Sequence, residues 1–174
     1  MKNFQSIPPK EINENAIKLI GEKWTLITAG DPSSFNMMTA SWGNIGFLWN
    51  KPVVTVFVRP QRYTFQFTEK KDEFTLSFFQ EEYRSVLQFC GNKSGAEVNK
   101  VEKTGLTPVF TPNGNIAFKE SYLVLECRKL YTDFLKSEAF LDRTLIEKNY
   151  KANDFHKFYV AEITKAWIKK STNK

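Results

Sequence analysis

Histidine is almost missing from this chain of 174 residues, with His156 the only one. That scarcity argues against a structural zinc site. Cysteine is nearly as rare, at two residues, Cys90 and Cys127. They lie far apart and form no CxxC pair, so a disulfide scaffold is excluded and two free thiols remain. No run approaches the roughly 18 uncharged apolar residues of a membrane helix, so no membrane partner is expected. The segment Met1 to Lys10 lacks the apolar core of a secretory signal, which makes the cytoplasm the expected location. The sequon Asn92-Lys93-Ser94 then carries no meaning for glycosylation. Glycine and proline number eight and seven. They punctuate short elements and build no linker, repeat or low-complexity tract, so residues 1–174 read as one domain.

What the chain has in excess is phenylalanine, sixteen of a 15% aromatic content. Large flat side chains are therefore expected to fill the core. A chain of this length buries about 70% of its unfolded surface and needs neither metal nor disulfide to hold together. Twenty-five Lys and Arg against nineteen Asp and Glu leave a net charge of +6. Such a balance suits nucleic acid or an anionic small ligand. The charge is dispersed, however. Its densest stretch, Lys165, Lys169, Lys170 and Lys174, reads as a solvated tail. No RNP-like aromatic motif is present, so nucleic acid is not the expected partner.

Periodicity predicts a helix over 11–20, closed by Gly21, then strands over Trp24–Ala29 and Phe35–Trp42. Val53–Val58 is a nearly continuous apolar run, the pattern of a strand buried on both faces. Further strands are expected at Phe74–Phe78, within 121–131 and at Phe158–Ile168. Short helices fit Tyr63–Lys70 and Tyr83–Phe89. Many strands with inserted helices, and no regular β-α-β alternation, point to a mainly β, closed antiparallel barrel. Neither Gly43-x-x-Gly46 nor Gly91-x-x-x-Gly95 completes a dinucleotide or P-loop fingerprint.

Four segments carry candidate chemistry. Asn36-Met37-Met38-Thr39-Ala40-Ser41-Trp42-Gly43 offers hydroxyls, backbone N–H groups and an aromatic plane to a flat polar ligand, and equally fits an ordinary strand. Arg59-Pro60-Gln61-Arg62-Tyr63-Thr64 follows a buried strand. It suits a phosphate through a guanidinium fork and a helix terminus, or else forms a solvated turn. Cys90-Gly91-Asn92-Lys93-Ser94-Gly95, running on to Lys100, lets the backbone approach an anion; a loop before a solvated helix is the alternative. His156 titrates near neutrality when unperturbed, which suits a proton donor or a polar substrate contact as well as a structural residue at a strand start. No nucleophile elbow accompanies it.

Taken in this order, the four segments resemble the flavin reductase-like family with an FMN-binding split barrel, in particular its flavoredoxin-type branch. Asn36–Gly43 resembles the first flavin-binding strand. Arg59–Thr64 resembles the RPxRYT signature, and Cys90–Lys100 the CGxxSGxxxDK segment. His156 with Phe158–Ile163 resembles the HxxxxGEV stretch of the last strand. The resemblance implies a six-stranded antiparallel Greek-key split β-barrel with short inserted helices, FMN as cofactor and a homodimer. By position, Met38, Thr39, Ala40, Ser41 and Trp42 are expected along the isoalloxazine and ribityl chain. Arg59, Arg62, Tyr63 and Thr64 are expected at the ribityl end and phosphate, with Cys90, Ser94 and Lys100 completing the phosphate side. His156 is expected near a nicotinamide or substrate. Asn99 and Ala161 depart from the pattern, standing where the family has Asp and Gly. The implied activity is an NADH- or NADPH-dependent oxidoreductase passing hydride through flavin N5 to free flavin or another acceptor. The alternative is a flavoredoxin-like electron carrier, served by a redox partner protein, with no nicotinamide site of its own.

Overall fold

The computed structural model describes residues 1–170. Strand β1 (Phe4–Ile7) leads into a short helix α1 (Ala16–Lys18) that continues as a π-helical turn over Leu19–Lys23. The hairpin β2 (Thr25–Asp31) and β3 (Ser34–Ala40) follows, then β4 (Gly43–Leu48) and β5 (Lys51–Val58). Helix α2 (Phe65–Lys70), strand β6 (Glu73–Phe78) and helices α3 (Arg84–Asn92) and α4 (Lys100–Thr104) come next. A small ribbon, β7 (Pro108–Phe110) with β8 (Ile116–Phe118), precedes β9 (Leu123–Phe134), α5 (Thr144–Asn149) and β10 (Lys157–Lys169).

The main sheet runs β3-β2-β6-β9-β10-β5-β4, with β1 added on β10, eight strands in all. Every pairing in it is antiparallel. The mainly β antiparallel architecture is as expected, with β1 and β4 among its eight strands although neither has a strong apolar alternation. The two end strands, β3 and β4, are neighbours in sequence, joined only by Ser41 and Trp42, yet they do not pair. The sheet curls so that β2, β3, β5, β6, β9 and β10 share one interior cluster. The barrel is therefore split between β3 and β4.

Strand alternation sorts the side chains. Met38 faces the barrel interior, whereas Met37 faces an outer layer with Leu87 and Cys90 of α3. Leu87 and Cys90 sit one helical turn apart, so α3 lays a narrow apolar stripe on β2 and β3. Truncating Leu87 would cost about 2–5 kcal/mol and loosen the helix that carries Cys90.

Several expectations change in detail. The helix over 11–20 forms only from Ala16 and runs past Gly21 to Lys23 as a π turn. On β5, Thr55 and Phe57 are half-buried while Val54, Val56 and Val58 are buried, so the strand has one core face and one partly open face. Phenylalanine does not fill the barrel. Only Phe74 and Phe78 join its interior cluster, whose other members are mostly shorter aliphatics. Inward side chains from six strands meet around one axis, which leaves little room for rings. Lys165 and Lys169 belong to β10, with Lys165 above the Trp167 ring, and are not a loose tail; Lys174 lies outside the described residues. Among the described residues no helix is long and apolar enough to cross a membrane.

Candidate functional site

Strand β5 ends at Val58, and Pro60 breaks the pairing by removing a donor. The chain turns at once: the Arg62 N–H donates to the Arg59 carbonyl (3.0 Å) and the Phe65 N–H to the Arg62 carbonyl (2.8 Å). Helix α2 thus starts at Phe65, two residues later than Tyr63, and is only six residues long. Of the two alternatives for this segment, a helix terminus or a turn, the structure has the turn, which presents its side chains. Thr64 is buried and its hydroxyl accepts from Asn36 Nδ2 (2.8 Å).

Lys100 opens α4 and is buried. Its ammonium donates to the carbonyls of Met37 (2.8 Å) and Cys90 (2.9 Å). The Arg62 guanidinium approaches the same Cys90 carbonyl (3.4 Å). Among the described residues neither cation forms an ion pair. Burial lowers the Lys100 pKa to about 8, and the nearby Arg62 charge pushes the same way. Burial, and then the charge of Arg59, lower that of Arg62 as well. A buried and a half-buried positive charge, neither beside a carboxylate, are an arrangement that favours an anion between them. Asn99 does not meet Lys100. Its side chain caps α4 by accepting from the Glu102 N–H (3.2 Å).

A cavity of about 160 Å³ opens at these cations, lined also by Tyr63, Thr64, Ser94 and Gly95. Gly95 is fixed by a close approach: a Cβ there would lie 2.1 Å from Asn36 Oδ1. The Ser94 hydroxyl accepts from the Ala96 N–H (3.2 Å), shaping the loop. Cys90 contributes its carbonyl; burial pushes its thiol up to about 11, so the sulfur stays protonated at neutral pH. Cys127 is also buried with a raised pKa.

The split between β3 and β4 holds a second cavity of about 230 Å³, which Arg62 also lines. One wall is the backbone and side chains of Met38, Thr39, Ala40 and Ser41; Phe57 and His156 lie across from it. The Thr39 hydroxyl donates to the Leu87 carbonyl, tying β3 to α3. Trp42 is half open to solvent, its ring 5.2 Å from that of His156 and tilted 52°. His156 precedes β10 and is buried. Its Nδ1 is 2.9 Å from the Tyr150 hydroxyl. Burial, with the charge of Arg59, lowers its pKa to about 4, so the ring is neutral at physiological pH. Arg59 pairs with Asp154, donates to the Asn149 carbonyl (2.9 Å) and lies 5.3 Å from the Tyr150 ring.

The structure therefore gathers Arg62, Tyr63, Thr64, Ser94 and Lys100 around one cavity and Met38–Trp42 with His156 around the other. Arg59 stands with the second group, its charge already met by Asp154. Ala161 points into the barrel interior at a register shift of β10, away from both cavities. Phe57 and Tyr150 are site neighbours that no motif marked. Phe57 had a signal, since it alternates with Val56 and Val58 and must face the other way. Tyr150 had none, although it stands only six residues before His156; a turn in which the Asn153 N–H donates to the Tyr150 carbonyl (2.9 Å) follows it.

The family model for the flavin reductase like domain matches residues 18–174, nearly the whole chain. The chain belongs to this family. This flavin reductase-like domain has the FMN-binding split-barrel architecture, and solved structures share its fold. Flavoredoxin from Methanosarcina acetivorans superposes with a TM-score of 0.66 at 22% identity, over 87% of this chain and 71% of that one. Flavoredoxin of Desulfovibrio vulgaris gives 0.66 at 20% identity, over 87% and 72%. Nitrilotriacetate monooxygenase component B from Bacillus cereus gives 0.67 at 18% identity, over 98% and 84%. No curated protein matches the chain.

Proposed function

We propose that this flavin reductase-like domain binds FMN across the two cavities and oxidises NADH or NADPH, delivering electrons to free flavin or another acceptor. The observation that carries this reading is the pair of cations Lys100, buried, and Arg62, half-buried, neither paired with a carboxylate among the described residues. They stand at one end of a cleft whose other end is walled by Trp42, Phe57 and His156. A phosphate dianion at the first end would neutralise both charges, and a flat ring at the second would lie in the barrel split. Bound FMN would supply the two-electron chemistry, as flavins do. The protein's share is orientation and the exclusion of water. Met38–Ser41 would present one edge of the cleft to the ring. The Tyr150 hydroxyl would donate to His156 Nδ1 and leave Nε2–H as an uncharged donor. Being neutral, His156 would orient a nicotinamide or substrate and would not supply a proton from an imidazolium.

The exposed apolar side chains of the β4 edge, Phe47, Leu48 and Trp49, support a homodimer across the split, which would cover the open side of Trp42. Light scattering of the purified protein tests that assembly. The function is tested by the visible spectrum and by anaerobic mixing with NADH and with NADPH. A flavin band that bleaches rapidly supports the oxidoreductase. A band that bleaches only with a reduced partner protein makes the chain an electron carrier, and colourless protein that takes up no FMN removes the reading.

A further inference from the structure

Trp24 joins the π-helical turn to β2 in a backbone conformation that the cleft does not explain. It stands at φ 65 and ψ 169, a region open to glycine and rarely taken by a residue with a Cβ. Such backbone persists only where its surroundings hold it, and it collects at sites that clamp a ligand. Here the surroundings hold the indole. Its N–H donates to the Gly21 carbonyl (3.2 Å), and the Arg84 guanidinium lies over the ring, 4.4 Å from its centroid. Arg84 is itself fixed, donating to the Glu22 carbonyl (2.7 Å) and to the Glu81 carboxylate (3.0 and 3.1 Å).

The fixed ring lines a trench of about 310 Å³ between β3 and α3, together with Thr39, Ser41, Leu87, Gln88, Gly91 and Asn92. The trench adjoins the cleft without being part of it. It shares Thr39 and Ser41 with the ring cavity and Gly91 and Asn92 with the phosphate cavity, whereas Trp24, Leu87 and Gln88 line neither. Its size falls within the range of small-molecule sites, about 300–1,000 Å³. None of the lining side chains carries a charge. A carboxylate or phosphate would therefore lose hydration there without meeting a counter-ion. The Thr39 hydroxyl is spent on the Leu87 carbonyl. Ser41, Gln88 and Asn92 bring a hydroxyl and two carboxamides, groups that donate to a carbonyl oxygen. An indole held rigidly beforehand loses little freedom when a flat ring stacks on it.

We propose that the trench is a separate binding site for an uncharged planar ring bearing a carbonyl or carboxamide group. The ring stacks on Trp24 and accepts hydrogen bonds from Ser41, Gln88 and Asn92. The test is calorimetric titration of the purified protein with naphthalene carboxamide, beside the carboxylate of the same shape. The carboxamide should bind, and the carboxylate should bind at least about tenfold more weakly. Trp24→Leu should weaken the carboxamide by about tenfold, the worth of one stacked ring. Should that variant fail to fold, Gln88→Leu, at an exposed position of α3, decides, with an expected loss of about fivefold for one hydrogen bond. Saturation with FMN should leave the carboxamide bound, because Trp24 and Gln88 lie outside the cleft. Absence of binding overturns the proposal, as does equal affinity for the carboxylate or unchanged affinity in the folded variants. Displacement by FMN also overturns it and assigns the ring to the cleft. If FMN itself fails to bind, the flavin reading falls and the variants still decide this one.

Discussion

Arg59 and Arg62 stand three positions apart on one turn and meet opposite surroundings. Arg59 pairs with Asp154, caps the Asn149 carbonyl and lies over Tyr150. Arg62 has only a long contact to the Cys90 carbonyl, which it shares with Lys100. The difference divides the site. At the ring end, charge is already balanced and the one titratable ring, His156, is held neutral. At the other end Lys100 is buried and Arg62 half-buried, and neither meets a carboxylate among the described residues, the end at which the proposed phosphate would supply the counter-charge. Satisfied polar groups build a rigid wall, whereas unsatisfied ones mark where something binds.

The sharpest way to break this comparison is to remove one arginine at a time. Arg62→Ala should weaken FMN by about 1.5–3 kcal/mol, the range for a hydrogen bond to a charged group, with little loss of fold stability. Arg59→Ala should do the reverse, costing about 1 kcal/mol of stability while FMN affinity changes less. Titration of each variant with FMN, beside its denaturant midpoint, checks the exchange. If both lose FMN equally, the division of the site is wrong.

Protonation gives a second route. Lys100 has its pKa lowered from the ordinary 10.5 to about 8. A bound phosphate would hold the proton, so FMN affinity should be full between about pH 6, above which the phosphate is a dianion, and about 8, and fall as pH rises further, by up to about tenfold per unit. Riboflavin, which lacks the phosphate, should show no such fall. Stability of the flavin-free protein should move the other way. Between about 8 and 10.5 the unfolded chain holds a proton that folded Lys100 has lost, so this residue's contribution rises with pH. Lys100→Met should remove both slopes.

At the ring end the expected effects are smaller. His156→Ala should slow NADH or NADPH oxidation by about tenfold, the worth of a neutral hydrogen bond, with FMN still bound. The wild-type rate should stay flat between about pH 6 and 8, since a ring with a pKa near 4 does not titrate there. A break near the ordinary histidine value would return His156 to acid catalysis. Smallest is Asn99→Ala, which removes the α4 cap. It should cost about 1 kcal/mol by thermal melting and leave the contrast between the two ends intact.

Much of this was legible beforehand because it is local. The strands at Phe74–Phe78 and Phe158–Ile168, the break at Pro60 and the segments around Arg62 and Lys100 all show in short windows. The edge strand β4 was not legible, because Gly43 to Leu48 exposes apolar side chains and gives no clean alternation. Tyr150 was not, because it lies outside the four motif segments, although His156 follows it by only six residues. Asn99 showed only as a departure from a motif; its capping bond appears once α4 is seen to begin at Lys100.

The sequence by itself determined the mainly β class, the scarcity of histidine and thiol chemistry, and the cationic side chains available to an anion. Those follow from residue identity and near-neighbour pattern. Only the tertiary structure decided which cations are spare. Net charge counts Arg59, Arg62 and Lys100 alike. Asp154 reaches Arg59 from the far end of the chain, while Lys100 is buried and Arg62 half-buried with no carboxylate beside either among the described residues. Whether a charge is paired depends on contacts distant in sequence, and no local pattern records them.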